Sequence, residues 1–289
     1  VVKSFKTKLG DWIIAFICLL VVVVCLLPIL NIAARSLSST QALIRNEVLF
    51  WPKGFNVDAY KYVLMDGKFT WALVWTAILT VIGTCLSLFM TTVCAYPLTY
   101  KKLKGRKIIN TLILFTMYFS AGTIPMYLLL KDIAFLNKPV VLIVPYCLSV
   151  FNMIIMRTFL SNIPESMRES AEIDGASPFR ILISIYLPLS LPVIATLALF
   201  YAVGRWNGFS DALMFMNVRK YYPIQLLLYN VLMAISNIDI VTAEGGTLPG
   251  LTESLKAAAI MFATVPILII YPLLQRYFIA GATLGALKE

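Results

Sequence analysis

Four charged residues, Glu165, Arg168, Glu169 and Glu172, recur at i, i+3, i+4 and i+7. On a helix that spacing gathers them into one charged stripe. Such a stripe suits ion pairing with a protein partner, or else a solvated acidic face. Little else in the chain points to catalysis. Histidine is absent, which removes the commonest general base and metal ligand. Cys18, Cys25, Cys85, Cys94 and Cys147 all fall in apolar stretches without metal spacing and read as small packing residues. The chain has no phosphate-cradling Gly-x4-Gly-Lys-Ser/Thr loop, so it does not itself hydrolyse ATP. No Ser/Lys or paired-Asp constellation lies in the apolar spans. One further residue stands out. Arg205 lies 13 residues beyond Pro192, which on a helix is roughly 20 Å. A cation so deep in a ~30 Å hydrocarbon core is costly and by default suggests function. Two other readings stay open for it: snorkelling towards the outer interface, or a pair with Asp211 where the helix unwinds near Gly204 and Gly208.

Local rules predict how the stripe is held. Ser161 or Asn162 can cap a helix, Pro164 suits its first turn, and Glu165 favours the positive end of the helix dipole. Gly175 can take the left-handed conformation that stops a helix. Ser177 and Pro178 then start a second helix, which Leu187-Pro188 ends. Ser170 and Ala171 are small and allow close approach by a partner. A helix this short is not stable alone and needs contacts to hold it.

These elements belong to a membrane protein. Hydrophobic residues make up 60% of the 289 residues, against roughly 45–50% in a soluble chain. Charged residues are 13%, about half the usual share. The net charge of +10 clusters beside apolar spans, as membrane topology requires, and does not indicate a nucleic-acid partner. The expected fold is an all-α integral membrane protein, one domain over 1–289. Its six spans run at about 12–34, 71–97, 108–130, 139–158, 190–215 and 257–278, with a loop over 161–188. Long continuous apolar runs exclude a transmembrane barrel. The first span lacks a small-residue cleavage site and five more follow it, so it reads as a helix and not as a cleaved leader. Lys3, Lys6 and Lys8, together with Lys101, Lys102, Lys104, Arg106 and Lys107, set N-in and C-in orientation with the 161–188 loop cytoplasmic. Outside, Asp58 to Tyr62 reads as a short amphipathic helix after a turn, and Pro223 to Leu228 as the start of another. Gly245-Gly246 and Pro249-Gly250 read as loops.

The spacing Glu-x-Ala-x3-Gly-x9-Ile-x-Leu-Pro from Glu169 to Pro188 resembles the signature loop of bacterial ABC-importer permeases. The resemblance extends to Gly204-Arg205-Trp206-Asn207-Gly208-Phe209, to Pro249 through Ala258, and to Tyr271 through Phe278. These look like carbohydrate-importer permeases, closest to the branch that handles oligosaccharides and polysaccharide fragments, including pectin-derived and alginate systems. The resemblance implies a type I permease fold in a bacterial cytoplasmic (inner) membrane, forming half of a translocation pathway. It implies a second homologous permease as partner, two ATPase subunits that carry ATP and Mg, an extracytoplasmic solute-binding protein, a saccharide substrate and surrounding lipid. It implies no cofactor or metal in this chain. Carried over, Glu169, Ser170, Ala171, Asp174 and Gly175 couple to the ATPase. Ser170 stands where the family usually has alanine, and serine is nearly as small. On the pathway side, Arg205 would attract carboxylates, Trp206 stack on a sugar ring and Asn207 bond hydroxyls. A uronate-containing oligosaccharide fits such a set better than a neutral one. The rival class is an ion-gradient-driven secondary transporter. Such proteins place acids or histidines at membrane depth, and here only Asp211 qualifies.

Overall fold

The computed structural model describes residues 5–65, 67–242 and 249–286, with side chains at 10–65, 67–234, 253–270 and 272. Among these residues all regular structure is helical. The helices are α1 (Phe5–Ser36), α2 (Thr40–Ile44), α3 (Asp58–Met65), α4 (Gly67–Ala95), α5 (Arg106–Tyr118), α6 (Thr123–Asp132), α7 (Val150–Ser161), α8 (Glu165–Ile173), α9 (Pro178–Ile181), α10 (Leu187–Leu189), α11 (Leu191–Asn207), α12 (Ser210–Phe215), α13 (Ile224–Thr242) and α14 (Pro249–Ala286). Two compact units divide the chain: 1–70 with 227–265, and 71–226 with 266–289.

Three stretches, Gly10–Ser36, Gly67–Thr99 and Glu253–Ile270, are long and apolar enough to cross a bilayer as single helices. Three more apolar intervals are bent: α5 and α6 meet at 111°, Pro139–Tyr146 and α7 at 47°, and Pro178–Leu189 and α11 at 82°. Counted as one span each, they raise the number to six. The intervals 108–130, 139–158 and 190–215 are therefore not the continuous helices expected from hydropathy. Gly122 breaks the first with φ +88°. Pro139 and Pro145 confine the start of the second to two short 3-10 turns. The last stops at Asn207, where Gly208 is the extended cap, and restarts at Ser210.

In the first unit, α1 exposes apolar side chains along much of its length, as in a helix surrounded by lipid or by another apolar surface. Its end is tied down by polar contacts. Arg35 bonds Glu253 at 2.7 Å, and the Ser36 and Tyr60 hydroxyls share a 2.8 Å hydrogen bond. The expected turn and short helix after it are present, with Gly54 at φ +63° and α3 beginning at Asp58. The second unit holds a core of Ala95, Tyr96, Met153, Met156, Leu160, Ile181, Leu182, Tyr186, Val193 and Leu197. It joins the end of α4 to α7, α9 and α11, and it seats the 161–188 loop. α13 starts at Ile224, next to the expected Pro223. Pro249 is not a loop residue but the first residue of α14, since proline is well suited to a helix's first turn. Gly245-Gly246 lies outside the described residues.

Candidate functional site

α8 covers the charged stripe, and its two ends are built differently from one another. Ser161 closes α7 and Asn162 is that helix's C-cap, so neither caps α8; Pro164 takes the cap position, with no side-chain hydrogen bond. The other end follows local rules closely. Gly175 sits at φ +77°. Its N–H bonds the Glu172 carbonyl at 3.1 Å, and the Ala176 N–H bonds the Ala171 carbonyl at 2.9 Å. That paired pattern satisfies carbonyls a helix end would otherwise leave open. Ser177 then caps α9, its hydroxyl accepting from the Arg180 N–H. A π-helical turn over Leu182–Tyr186 carries the chain on towards α11.

The stripe divides into two functional halves. Arg168 is buried and donates to Glu165 at 2.6 Å and to Glu172 at 2.9 Å. Its guanidinium lies over the Tyr100 ring, 4.6 Å from the centroid. Lys101 bonds the other Glu165 oxygen at 2.9 Å. The Lys101 hydrogen bond, with Arg168 behind it, holds the Glu165 carboxyl below the usual carboxylate range. Burial works against the charge on Arg168, but Glu172 and Glu165 outweigh it and raise its pKa. The other half faces out. Glu169, Ser170, Asp174 and Gly175 are exposed and Ala171 is half-buried. Neither Glu169 nor Asp174 has an ion-pair partner among the described residues. The 161–188 loop therefore presents free carboxylates, small side chains and an exposed Ile173, held on a clamped inner face. Sequence reasoning placed Arg168 in the stripe but missed its anchoring role. Lys101 was assigned only to topology.

The second candidate is a cavity of about 410 Å³ within the same unit. Arg205, Asp211, Asn152, Ser149, Tyr146 and Tyr201 supply its polar lining, with Phe200 and Leu79 among its apolar walls. Arg205 donates one nitrogen to the Leu142 carbonyl and the other to the Ile143 carbonyl, the latter at 3.0 Å. Those carbonyls lie in the irregular 139–146 stretch, and irregular backbone at membrane depth needs protein partners. Arg205 thus does not pair directly with Asp211, which lines the cavity separately. Two of its five N–H donors are used by the carbonyls, leaving capacity for a ligand. Gly83 on α4 makes room: a Cβ there would stand 3.2 Å from the Arg205 Nε.

The run Arg205-Trp206-Asn207 does not act as one surface. Consecutive helical residues point about 100° apart. Arg205 reaches the cavity, while Trp206 is 4% exposed and outside its lining, and Asn207 is exposed elsewhere. Burial leaves Trp206 no free face for a sugar ring. The aromatic ring that stands near Arg205 is Tyr146, at 5.9 Å. Asn152 supplies a carboxamide with no hydrogen-bond partner among the described residues, although it is only 7% exposed. An amide inside an apolar interval was the sequence signal for it. No group of metal-ligating side chains could hold an ion among the described residues.

A family model described as the binding-protein-dependent transport system inner membrane component matches residues 83–283, which include the loop and most of the cavity lining, Arg205 among it. The chain belongs to this family. The permease is 37% identical over 284 residues to the polygalacturonan/rhamnogalacturonan transport system permease protein YtcP of Bacillus subtilis (strain 168), covering 98% of this chain and 99% of that one. It is 40% identical over 266 residues to protein LplC of the same organism, at 91% and 89% coverage. Among solved structures it matches a bacterial ABC transporter involved in the import of the acidic polysaccharide alginate. There the TM-score is 0.86 at 29% identity, covering 96% of this chain and 99% of that chain. This is an ABC-importer permease, a transport subunit and not an enzyme. Nothing in these relationships supports an ion-gradient-driven transporter.

Proposed function

We propose that the permease is one of two related membrane subunits that import oligosaccharide or polysaccharide fragments containing uronates. A solute-binding protein delivers the sugar from outside. Two ATPase subunits, which carry ATP and Mg, drive the helix bundle between outward- and inward-facing states. The chain crosses a bacterial cytoplasmic membrane six times with both termini inside, and the 161–188 loop faces the cytoplasm. One observation carries the reading. α8 pairs its inner charges internally and leaves Glu169 and Asp174 exposed beside the small Ser170 and Ala171. Gly175 and Ser177 fix the corner that presents them. That arrangement fits insertion of the exposed face into a groove on an ATPase.

The saccharide side rests on the cavity. A guanidinium, a carboxylate, an unpaired carboxamide and tyrosine hydroxyls converge there, which suits a polyhydroxylated ligand bearing carboxylates. Support for an anionic sugar comes from the relatives, since YtcP is named for polygalacturonan and rhamnogalacturonan and the matched transporter takes acidic alginate. Within this reading Arg205 attracts carboxylates, Asn152 bonds hydroxyls and Tyr146 offers the ring expected of Trp206. The test is uptake of matched charged and neutral oligosaccharides by Arg205→Gln with membrane expression checked. A selective loss for the charged ligand supports the assignment, and an equal loss for both overturns it.

A further inference from the structure

A groove of about 590 Å³ runs along the second unit beside the 161–188 loop, away from the Arg205 cavity. Its wall on α4 is Phe89 and Val93, which are 59% and 40% exposed. Tyr96, Pro97, Tyr100 and Leu103 continue it, and Pro178, Phe179 and Leu182 close the far side. Lys102 stands at the polar end, exposed and without an ion-pair partner among the described residues. Lys104 and Lys107 follow within a few residues and are exposed as well. The groove is thus apolar where α4 runs through hydrocarbon and cationic where the chain leaves it.

We infer that this groove seats an anionic glycerophospholipid, with an acyl chain along Phe89 and Val93 and the phosphate at Lys102. The order of chemistry along the groove matches one such molecule: apolar first, tyrosine hydroxyls next, ammonium last. A basic residue beside a membrane surface attracts anionic headgroups. The groove also touches the loop that moves in the proposed cycle. The Tyr96 hydroxyl is hydrogen-bonded to the Tyr100 hydroxyl at 2.7 Å and donates to the Pro178 carbonyl at 3.1 Å, and Phe179 lies open on the groove wall. A lipid seated there braces α9 against the end of α4. The inference needs only that the 97–107 segment lies at a membrane surface, so it stands or falls apart from the identity of the sugar.

The experiment is native mass spectrometry of the intact transporter, purified in neutral detergent and offered equal phosphatidylglycerol and phosphatidylcholine of matched chains. Wild type should retain phosphatidylglycerol preferentially. Lys102→Gln should lower that preference about fivefold, the effect of one basic residue near an anionic surface. Val93→Trp, which fills the tail half, should reduce retention of both lipids while the complex stays assembled. Soluble glycerol phosphate should fail to displace the lipid; displacement at millimolar concentration would mean a headgroup site alone and overturn the proposal. An unchanged lipid preference in Lys102→Gln, together with undiminished lipid retention in Val93→Trp, would overturn it too. So would a photo-reactive residue at position 93 that captures the second permease in place of lipid.

Discussion

Replacing Gly175 tests whether the corner of the loop transmits coupling. Its φ of +77° lies where residues with a Cβ are strained, and nothing lies within 4 Å of where that Cβ would be. The penalty is therefore backbone strain alone, free of steric conflict with neighbours. For an L-residue with a Cβ it is roughly 1–2 kcal/mol, with asparagine at the low end and a β-branched side chain at the high end. If the turn must form for docking, the apparent dissociation constant rises as the reciprocal of the fraction of loops that keep it. Since 1.4 kcal/mol is tenfold, the ceiling is about thirtyfold for Gly175→Val and well under tenfold for Gly175→Asn. Titrating ATPase subunits onto detergent-purified permease pairs measures this directly, and sugar-stimulated ATP hydrolysis in proteoliposomes reports its consequence. The expected order is Gly, Asn, Ala, Val, with expression and thermal stability of the helix bundle unchanged. Equal binding by the Val and Asn variants would refute the reasoning, because it would mean the observed left-handed turn is not required for docking.

Glu169→Lys should loosen ATPase association and reduce transport, because leaving a partner's charge unpaired at an interface costs about 2–5 kcal/mol; co-purification of ATPase subunits in wild-type amounts would contradict it. Gly83→Val should lower uptake and thermal stability together, since overpacking costs typically about 1–3 kcal/mol and even the Cβ meets the Arg205 side chain at 3.2 Å. Gly83→Ala should be nearly normal, as a flexible arginine can yield by a few tenths of an ångström. Equal uptake by Gly83→Val and wild type would show that Arg205 is not confined by α4.

The parts of the molecule governed by neighbouring residues were legible in the sequence. Gly175 stops α8 and Ser177 starts α9 because φ preference and capping act over a few residues. The helical class was legible for a similar reason: apolar content reports on surroundings whatever the tertiary arrangement. The breaks were not. A charge-free interval from 108 to 130 reads the same whether straight or bent by 111° at Gly122. The partners of Arg205 were also hidden. Backbone carbonyls at Leu142 and Ile143, more than sixty residues away, leave no mark in residue type. Trp206 and Asn207 were grouped with Arg205 by adjacency, although helical geometry turns neighbours to different faces.

The division of charge on α8 bears on how a nine-residue helix can transmit force at all. Alone it is too short to hold its shape in water, and an anchor at the carboxylates proposed to dock would compete with docking. Arg168 removes that conflict by gripping Glu165 and Glu172 from inside and resting on Tyr100, which leaves Glu169 free. Behind the clamp, Ile181, Leu182 and Tyr186 are buried in one core with Met153, Met156, Val193 and Leu197. A push on the outer face of α8 therefore meets α7 and α11 through close-packed side chains, which transmit displacement because they have little room to absorb it. At the other end of α11, Arg205 holds the carbonyls of the irregular 139–146 stretch. Both ends of α11 are thus fastened, one to the loop and one to the cavity wall. In the proposed cycle, a displacement delivered at the loop cannot be confined there: it shifts the helix whose far end carries the cavity's cation.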